Sequence, residues 1–590
     1  MRLLLHDEVV ITTLQFPFSM KHKRDYTADR RLPLLCAIAA AIGVLSTGAA
    51  WLLLKLIALF TNLFYFQRLS FEGSSPAAHT LGWMAALLPV IGGLTVGLMA
   101  RYGSDKIRGH GIPEAIEAIL FGKSRMSPKV ALLKPLSSGI VIGSGGPFGA
   151  EGPIIMTGGS LGSLLAQWLH LTAAERKTLL VAGACAGMTA IFGTPLAALL
   201  LAVELLLFEL RPRSLLPVAL ACAIAGFLRP WLMEGGVLFP LEVAPAAPIA
   251  LLSCLAAGLA SGVLAALLTL ALYRIEDGFH RLPLHWMWWP ALGGIAVGLG
   301  GLLQPRALGV GYDVIADLLN QHMLVSAALA LLLVKAVIWL LALGSGTSGG
   351  VLAPLLMIGA GLGLVLAPWL PGGSPGLWPL VCMAGVLGSV LGAPLTAIVF
   401  AFGLTHAGNA LLPLIATTAV AYGVNVLSMK RSIMTEKIAR RGLHVHREYG
   451  VDPLERVHVE DLMSAPQALE AALPAGEALA RCRAAERVHR YYPVTAHGRL
   501  LGMVALSRLQ AADPAAGCGT LMQAEAGYLL PHLSARAAAG AMARQGVARL
   551  PVVNGPERRQ LVGVLSLSDL ARASASHAEE ESVREKLLGN

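Results

Sequence analysis

The sequence predicts an all-α polytopic membrane protein built from two repeated halves, followed by a smaller soluble α/β domain. Three observations predict it. The 590 residues are 55% hydrophobic and only 14% charged, with a mean hydropathy of +0.67, whereas about a quarter of the residues in a soluble domain are charged. Apolar spans of roughly 20 residues recur from Leu32 to Leu427, the length that crosses a bilayer. Landmarks rich in glycine and proline then recur in the same order at a nearly constant offset, which marks a duplication.

The spans include Leu32–Ile57, Leu81–Ala100, Pro248–Ala271 and Val325–Leu343. Lys21, Lys23, Arg24, Arg30 and Arg31 precede the first, and Lys430, Arg431, Lys437, Arg440 and Arg441 follow the last. Positive flanks place both termini in the cytoplasm, as in a multi-pass protein of the cell inner (plasma) membrane. They also account for the net charge of +10, so no nucleic-acid partner is expected. No cleavable signal is evident, because no basic region leads into an apolar stretch and a small-residue site. The seven cysteines show no metal spacing and mostly sit in apolar spans, so they read as small buried hydrophobes and no metal is expected. No enzyme constellation stands out, and His280 and His285 read as surface residues.

The first copy of the main landmark is Gly143-Ser144-Gly145-Gly146-Pro147-Phe148-Gly149-Ala150-Glu151-Gly152-Pro153. The second is Gly344-Ser345-Gly346-Thr347-Ser348-Gly349-Gly350-Val351-Leu352-Ala353-Pro354, at an offset of 201. Lys134 and Lys335 share that offset. Gly109-His110-Gly111 and Gly309-Val310-Gly311 are 200 apart, and Gly193-Thr194-Pro195-Leu196 and Gly392-Ala393-Pro394-Leu395 are 199 apart. The halves therefore run over about 32–215 and 250–441, and their relative direction is open at this point. Gly and Pro interrupt apolar segments in both copies, which points to broken helices around a binding site. Gly152-Pro153 and Ala353-Pro354 read as helix starts, where unpaired amides and the positive end of the helix dipole attract anions. Glu151 is the only charge in either copy. It is expected one or two positions ahead of its helix, where its carboxylate competes with an anion for the same amides. Protonation would release it, which couples anion movement to protons.

Together these residues resemble the CLC family of chloride channels and chloride/proton exchangers over about 32–441. Gly109-His110-Gly111-Ile112-Pro113-Glu114 is similar to the family's G-S-G-I-P-E, Gly149-Ala150-Glu151-Gly152-Pro153 to G-[KR]-E-G-P, and Gly350-Val351-Leu352-Ala353-Pro354 to G-x-F-x-P. Lys134 and Phe192-Gly193-Thr194-Pro195-Leu196 follow the family too. The resemblance implies inverted-topology repeats of tilted and broken helices (a CLC-like fold). It also implies a homodimer in the lipid bilayer with one pathway per subunit, and Glu151 as gate and proton site. The anion-binding set it implies is His110, Gly111, Ile112, Gly149, Ala150, Gly152, Gly350, Val351, Leu352, Ala353 and Met434. Several positions depart from the family pattern. His110 replaces a serine, Ala150 a basic residue, Leu352 a phenylalanine and Met434 a tyrosine, so both side-chain hydroxyl ligands are missing. Leu205 falls where exchangers carry their inner proton glutamate, which leaves Glu204 as a candidate secondary proton site.

Downstream of about His444 charges appear every few residues, and the stretch reads as one soluble domain. Residues 1–31 form a cytoplasmic segment, 442–456 a linker and 576–590 a polar tail. Within 457–512 and 513–575 a Pro-Val strand, a Gly-Val strand and a helix recur, as in Tyr492-Pro493-Val494 with Gly502-Met503-Val504 and Leu550-Pro551-Val552 with Gly563-Val564-Leu565. This resembles a pair of CBS motifs. The resemblance gives adenine nucleotide as the candidate ligand and Ser566 and Asp569 as its contacts, where the first unit has Ala505 and Arg508. No cofactor is required.

The reading that follows is a chloride transporter, exchanging chloride for protons. The alternatives are a passive anion channel gated by Glu151, and a membrane protein that senses anions or nucleotides with little flux.

Overall fold

The computed structural model describes residues 31–233, 235–445, 454, 457–485, 488–524, 527–582 and 584–585. The N-terminal segment and most of the linker lie outside the described residues. The first half holds α1 (Leu32–Phe66), α2 (Leu88–Tyr102), α3 (Ile112–Leu120), α4 (Pro128–Gly143), α5 (Glu151–Gln167), α6 (Ala173–Phe192), α7 (Pro195–Leu201) and α8 (Pro212–Leu232). The second holds α9 (Ala250–His280), α10 (Trp289–Leu303), α11 (Tyr312–Leu319), α12 (Val325–Gly344), α13 (Leu352–Leu366), α14 (Leu377–Leu391), α15 (Pro394–Thr405) and α16 (Leu411–Ser428). The helix α17 (Ile433–Ala439) follows. From α2 to α8, each helix starts 197 to 204 residues before its partner in α10 to α16. The first half therefore runs past the expected limit of 215, which falls inside α8. Among the described residues, eight helical segments are long and apolar enough to cross a membrane.

Packing repeats with the sequence. α6 lies against α5 and α8, with α1 over the group, and α14 lies against α13 and α16, with α9 over them. Glycine sets how closely the helices approach, as small residues do where helices meet in a membrane. A β-carbon on Gly158 of α5 would lie 2.3 Å from the carbonyl oxygen of Gly183 on α6, and one on Gly183 would lie 2.1 Å from that of Gly158. Between the halves, a β-carbon on Gly93 of α2 would lie 2.3 Å from the Pro290 carbonyl oxygen, and one on its counterpart Gly294 of α10 would lie 2.4 Å from that of Pro89. The same contact made twice with the partners exchanged is the mark of a local two-fold axis.

The short strand β1 (Leu171–Thr172) leads into α6. In the tail, β2 (Leu469–Glu470) pairs parallel with β3 (Tyr491–Ala496), which pairs antiparallel with β4 (Arg499–Ala505). A second antiparallel pair is β5 (Arg549–Val553) and β6 (Leu561–Ser566). Each unit lends the other an edge residue, through the bridges Met503–Gln523 and Ser464–Val564. A helix follows each second strand, Leu506–Ala511 after β4 and Leu567–Ser582 after β6. Beyond the latter, Arg584–Glu585 pairs antiparallel with β1.

Candidate anion pathway

The duplicated glycine loops meet at the centre of the membrane part. Gly109 and Gly111 have φ of +79° and +89°, and Gly309 and Gly311 have +63° and +74°. A β-carbon at these angles would be strained, so glycine is required there. A buried lysine braces each loop. The Lys134 ammonium donates to the carbonyls of Ile107 and Gly109, both at 2.8 Å. The Lys335 ammonium donates to those of Ala307 at 2.8 Å and Gly309 at 3.0 Å. Each loop is also bonded to the opposite half. The Gly109 amide donates to the Gly346 carbonyl at 3.3 Å, and the Gly309 amide to the Gly145 carbonyl at 3.1 Å. Gly149 and Gly350 then form an antiparallel bridge, with amide-to-carbonyl bonds of 3.2 and 2.9 Å.

Glu151 sits on this bridge, fully buried. It is the first residue of α5, with Ala150 as N-cap. The expected helix start at Gly152-Pro153 is thus corrected by one residue, and α13 likewise begins at Leu352 with Val351 as N-cap. The carboxylate folds back over the glycines. A β-carbon on Gly149 would lie 1.8 Å from Oε2, and one on Gly350 would lie 2.6 Å from it. Oε1 accepts a hydrogen bond from the Tyr312 hydroxyl at 3.3 Å, while Oε2 has no partner. The backbone amides of Glu151 itself and of Ala353 face the carboxylate.

The backbone amides at the site divide into two groups. The amides of Gly149 and Gly350 bond each other's carbonyls, and that of Gly111 donates to Glu114 Oε2 at 3.1 Å. These three donors are engaged with protein, because the bridge and the cap need them. The remaining donors are the first-turn amides of α3, α5 and α13, at Ile112, Glu151, Gly152, Leu352 and Ala353, which have no partner within a helix. His110 is buried with its Nδ1 unpartnered, and its carbonyl oxygen lies 1.9 Å from where a Gly152 β-carbon would be. Met434 is fully buried on α17, which packs against α3 and α14.

The end of the site next to α17 carries an ion pair that motif reading missed. Glu114 caps α3 and forms ion pairs with Lys437 of α17 at 2.7 Å and with Arg441 at 3.7 Å. This pair borders a cavity of about 820 Å³ on the face that carries the tail. There Lys106, Arg108, Arg125, Lys437, Arg440 and Arg441 outnumber Asp105, Glu114, Glu117 and Glu276, and such a lining concentrates anions at the mouth. Lys437 lies three residues beyond Met434, so only the charge of a residue next to an expected ligand could have signalled it.

Glu204 lies elsewhere. It is in the π-helical turn Ala202–Leu207 beside the buried Leu205. Its carboxylate accepts from the Leu395 amide at 3.1 Å and from the Thr396 amide and hydroxyl, both at 2.7 Å, so it caps α15. In the tail, the Ser566 amide and hydroxyl donate to Asp569 Oδ2 at 2.9 and 2.6 Å, and Arg572 pairs with the other oxygen. Burial alone would raise the Asp569 carboxyl, but the Ser566 bonds and Arg572 outweigh it and hold the group below the usual carboxylate range.

Comparison with known proteins agrees with this geometry. A family model described as voltage gated chloride channel matches residues 92–426, and a CBS domain model matches 518–576. Two relatives carry the name voltage-gated ClC-type chloride channel ClcB. The one from Salmonella dublin is 30% identical over 428 residues, covering 70% of this chain and 98% of its own. The one from Citrobacter koseri is 31% identical over 388 residues, covering 63% and 89%. Among solved structures, a slow cyanobacterial Cl-/H+ antiporter aligns with a TM-score of 0.60 at 22% identity, over 70% of this chain and 98% of its own. A eukaryotic CLC transporter aligns at 0.58 and 18% identity, over 91% and 98%. These two likenesses are of fold. By sequence and by fold, the chain belongs to the voltage gated chloride channel (CLC) family and carries a CBS domain behind its membrane part.

Proposed function

We propose that the chain moves chloride, or a similar small anion, across the membrane in exchange for protons, through a pathway gated by Glu151. One observation carries the proposal. A fully buried carboxylate, one of its oxygens unpartnered, lies on the bridge between two halves beside the first-turn amides of α5 and α13. A buried unpaired charge is costly, so such a group is retained for work. In the closed state Glu151 holds the place of an anion; protonated, it leaves and an anion enters. His110 adds a donor from the inner side, and the basic mouth supplies anions. The relatives' names support chloride as the ion, and the antiporter's name supports protons as the counter-ion. The protein works as a homodimer in the cell inner membrane, with both termini cytoplasmic, and catalyses no covalent chemistry. Ser566 and Asp569 already bond each other, so an adenine nucleotide at the tail would have to open that pair.

A passive channel is the second reading. Leu205 is apolar and buried, and Glu204 is tied into the start of α15 by three hydrogen bonds, so no free carboxylate in that turn relays protons inward. Purified protein in liposomes with a chloride gradient separates the two. Uphill proton movement supports exchange, chloride flux without protons supports the channel, and no anion flux overturns both.

A further inference from the structure

We propose that the Tyr312 hydroxyl is the latch of the gate, a positioning residue that holds Glu151 closed and sets the pH at which it opens. The proposal rests on the gate reading of Glu151. Tyr312 makes the one side-chain hydrogen bond to Glu151 among the described residues, to Oε1 at 3.3 Å. It comes from the opposite half, where it opens α11 directly after Gly311. The loop before it is fixed twice, by Lys335 on the Gly309 carbonyl and by the Gly309 amide on Gly145. The ring is fixed too, meeting Phe192 edge-on at 6.2 Å and Phe239 edge-on at 6.1 Å, while Phe192 meets Phe400 edge-on at 4.7 Å. This packing holds the ring while its hydroxyl meets the carboxylate. By the 200-residue offset Tyr312 corresponds to Ile112, so only one side of the two-fold carries this donor.

A hydroxyl that donates to a carboxylate favours the ionised form over the neutral one. It therefore opposes protonation and keeps the charged group on the bridge. Other charges cannot take over this role. Among the described residues, Lys335 of α12 is the charged group in a packed element that faces Glu151. Lys335 is held by two carbonyls, and the Asp313 carboxylate faces it. His110 is coupled to Glu114, Lys437 and Lys134 instead.

The test is the pH profile of chloride flux in liposomes. Tyr312→Phe keeps the ring and its packing and removes only the donor. The midpoint for opening is expected to move up by about one pH unit, a tenfold change in the gate's protonation constant. In a Glu151→Gln background, Tyr312→Phe is expected to change nothing. Fluorotyrosine at 312, a stronger donor, is expected to move the midpoint down, and it stands in where the phenylalanine variant does not assemble. A wild-type midpoint in either altered protein overturns the latch while leaving the gate standing. A pH profile that survives Glu151→Gln overturns the gate itself.

Discussion

The two glycine loops share a backbone and differ in what they hang on it. Each is braced by a buried lysine on two carbonyls, bonded to the opposite half through one amide, and followed by a short helix. Yet the first half presents His110, Ile112 and, on the next helix start, Glu151, where the second presents Val310, Tyr312 and Leu352. Backbone amides arranged about a two-fold make a site for an anion whichever half supplies them. A gate needs direction, and a symmetric site has none. In the proposed gate the side chains supply it, with acid and imidazole from one half and phenol from the other.

Substitutions can break this comparison at the backbone or at the side chains. The largest effect is expected from Gly350→Ala. Its β-carbon would lie 2.5 Å from the Gly149 carbonyl and 2.6 Å from Glu151 Oε2, so the bridge cannot close and flux falls to background. Gly361→Ala on the same α13 has its nearest neighbour at 3.5 Å and is expected to transport normally in the same flux assay.

Lys134→Met and Lys335→Met come next. Each strips the donor from two buried carbonyls, a loss of about 2 to 4 kcal/mol. Denaturation of the detergent-solubilised protein should show similar losses for the two. A large loss for one alone would mean that the loops are not equivalent supports.

Smaller effects distinguish the side chains. His110→Ala removes a buried donor with no protein partner and is expected to weaken chloride binding about tenfold, as titration calorimetry reads it. Val310→Ala, its counterpart, is expected to leave binding unchanged. Smallest is Ser566→Ala in the tail, at about 1 kcal/mol for a lost cap. The Asp569 carboxyl is held low, so its contribution is present near neutral pH and fades as pH falls through the lowered value. Unfolding curves of the tail at neutral and strongly acid pH should show the gap between wild type and variant closing in acid.

The repeat, the helix starts and Glu151 were legible because glycine, proline and a lone charge in apolar sequence have few other reasons to recur. Lys134 and Lys335 were legible as landmarks, but their task was not, since lysines that bond carbonyls 25 to 28 residues away leave no local pattern. The bonding of Glu204 was hidden for the same reason. Its partners lie 191 and 192 residues on, and only the fold brings the start of α15 to it. Tyr312 was hidden because aromatic residues in apolar spans are ordinary. Its one signal was a hydroxyl on a loop whose counterpart is followed by isoleucine. The division of the amides between bridge and anion also needed coordinates, because sequence shows where an amide is free of its own helix and not which distant carbonyl takes it.

The central claim is that Glu151 is the group whose protonation turns the amide site into a proton-linked gate. Its most direct test is proton movement driven by a chloride gradient in liposomes, wild type against Glu151→Gln. The account predicts uphill proton movement in the wild type, and in the variant chloride flux that no longer moves protons or responds to pH. A variant that still drives protons uphill would contradict it.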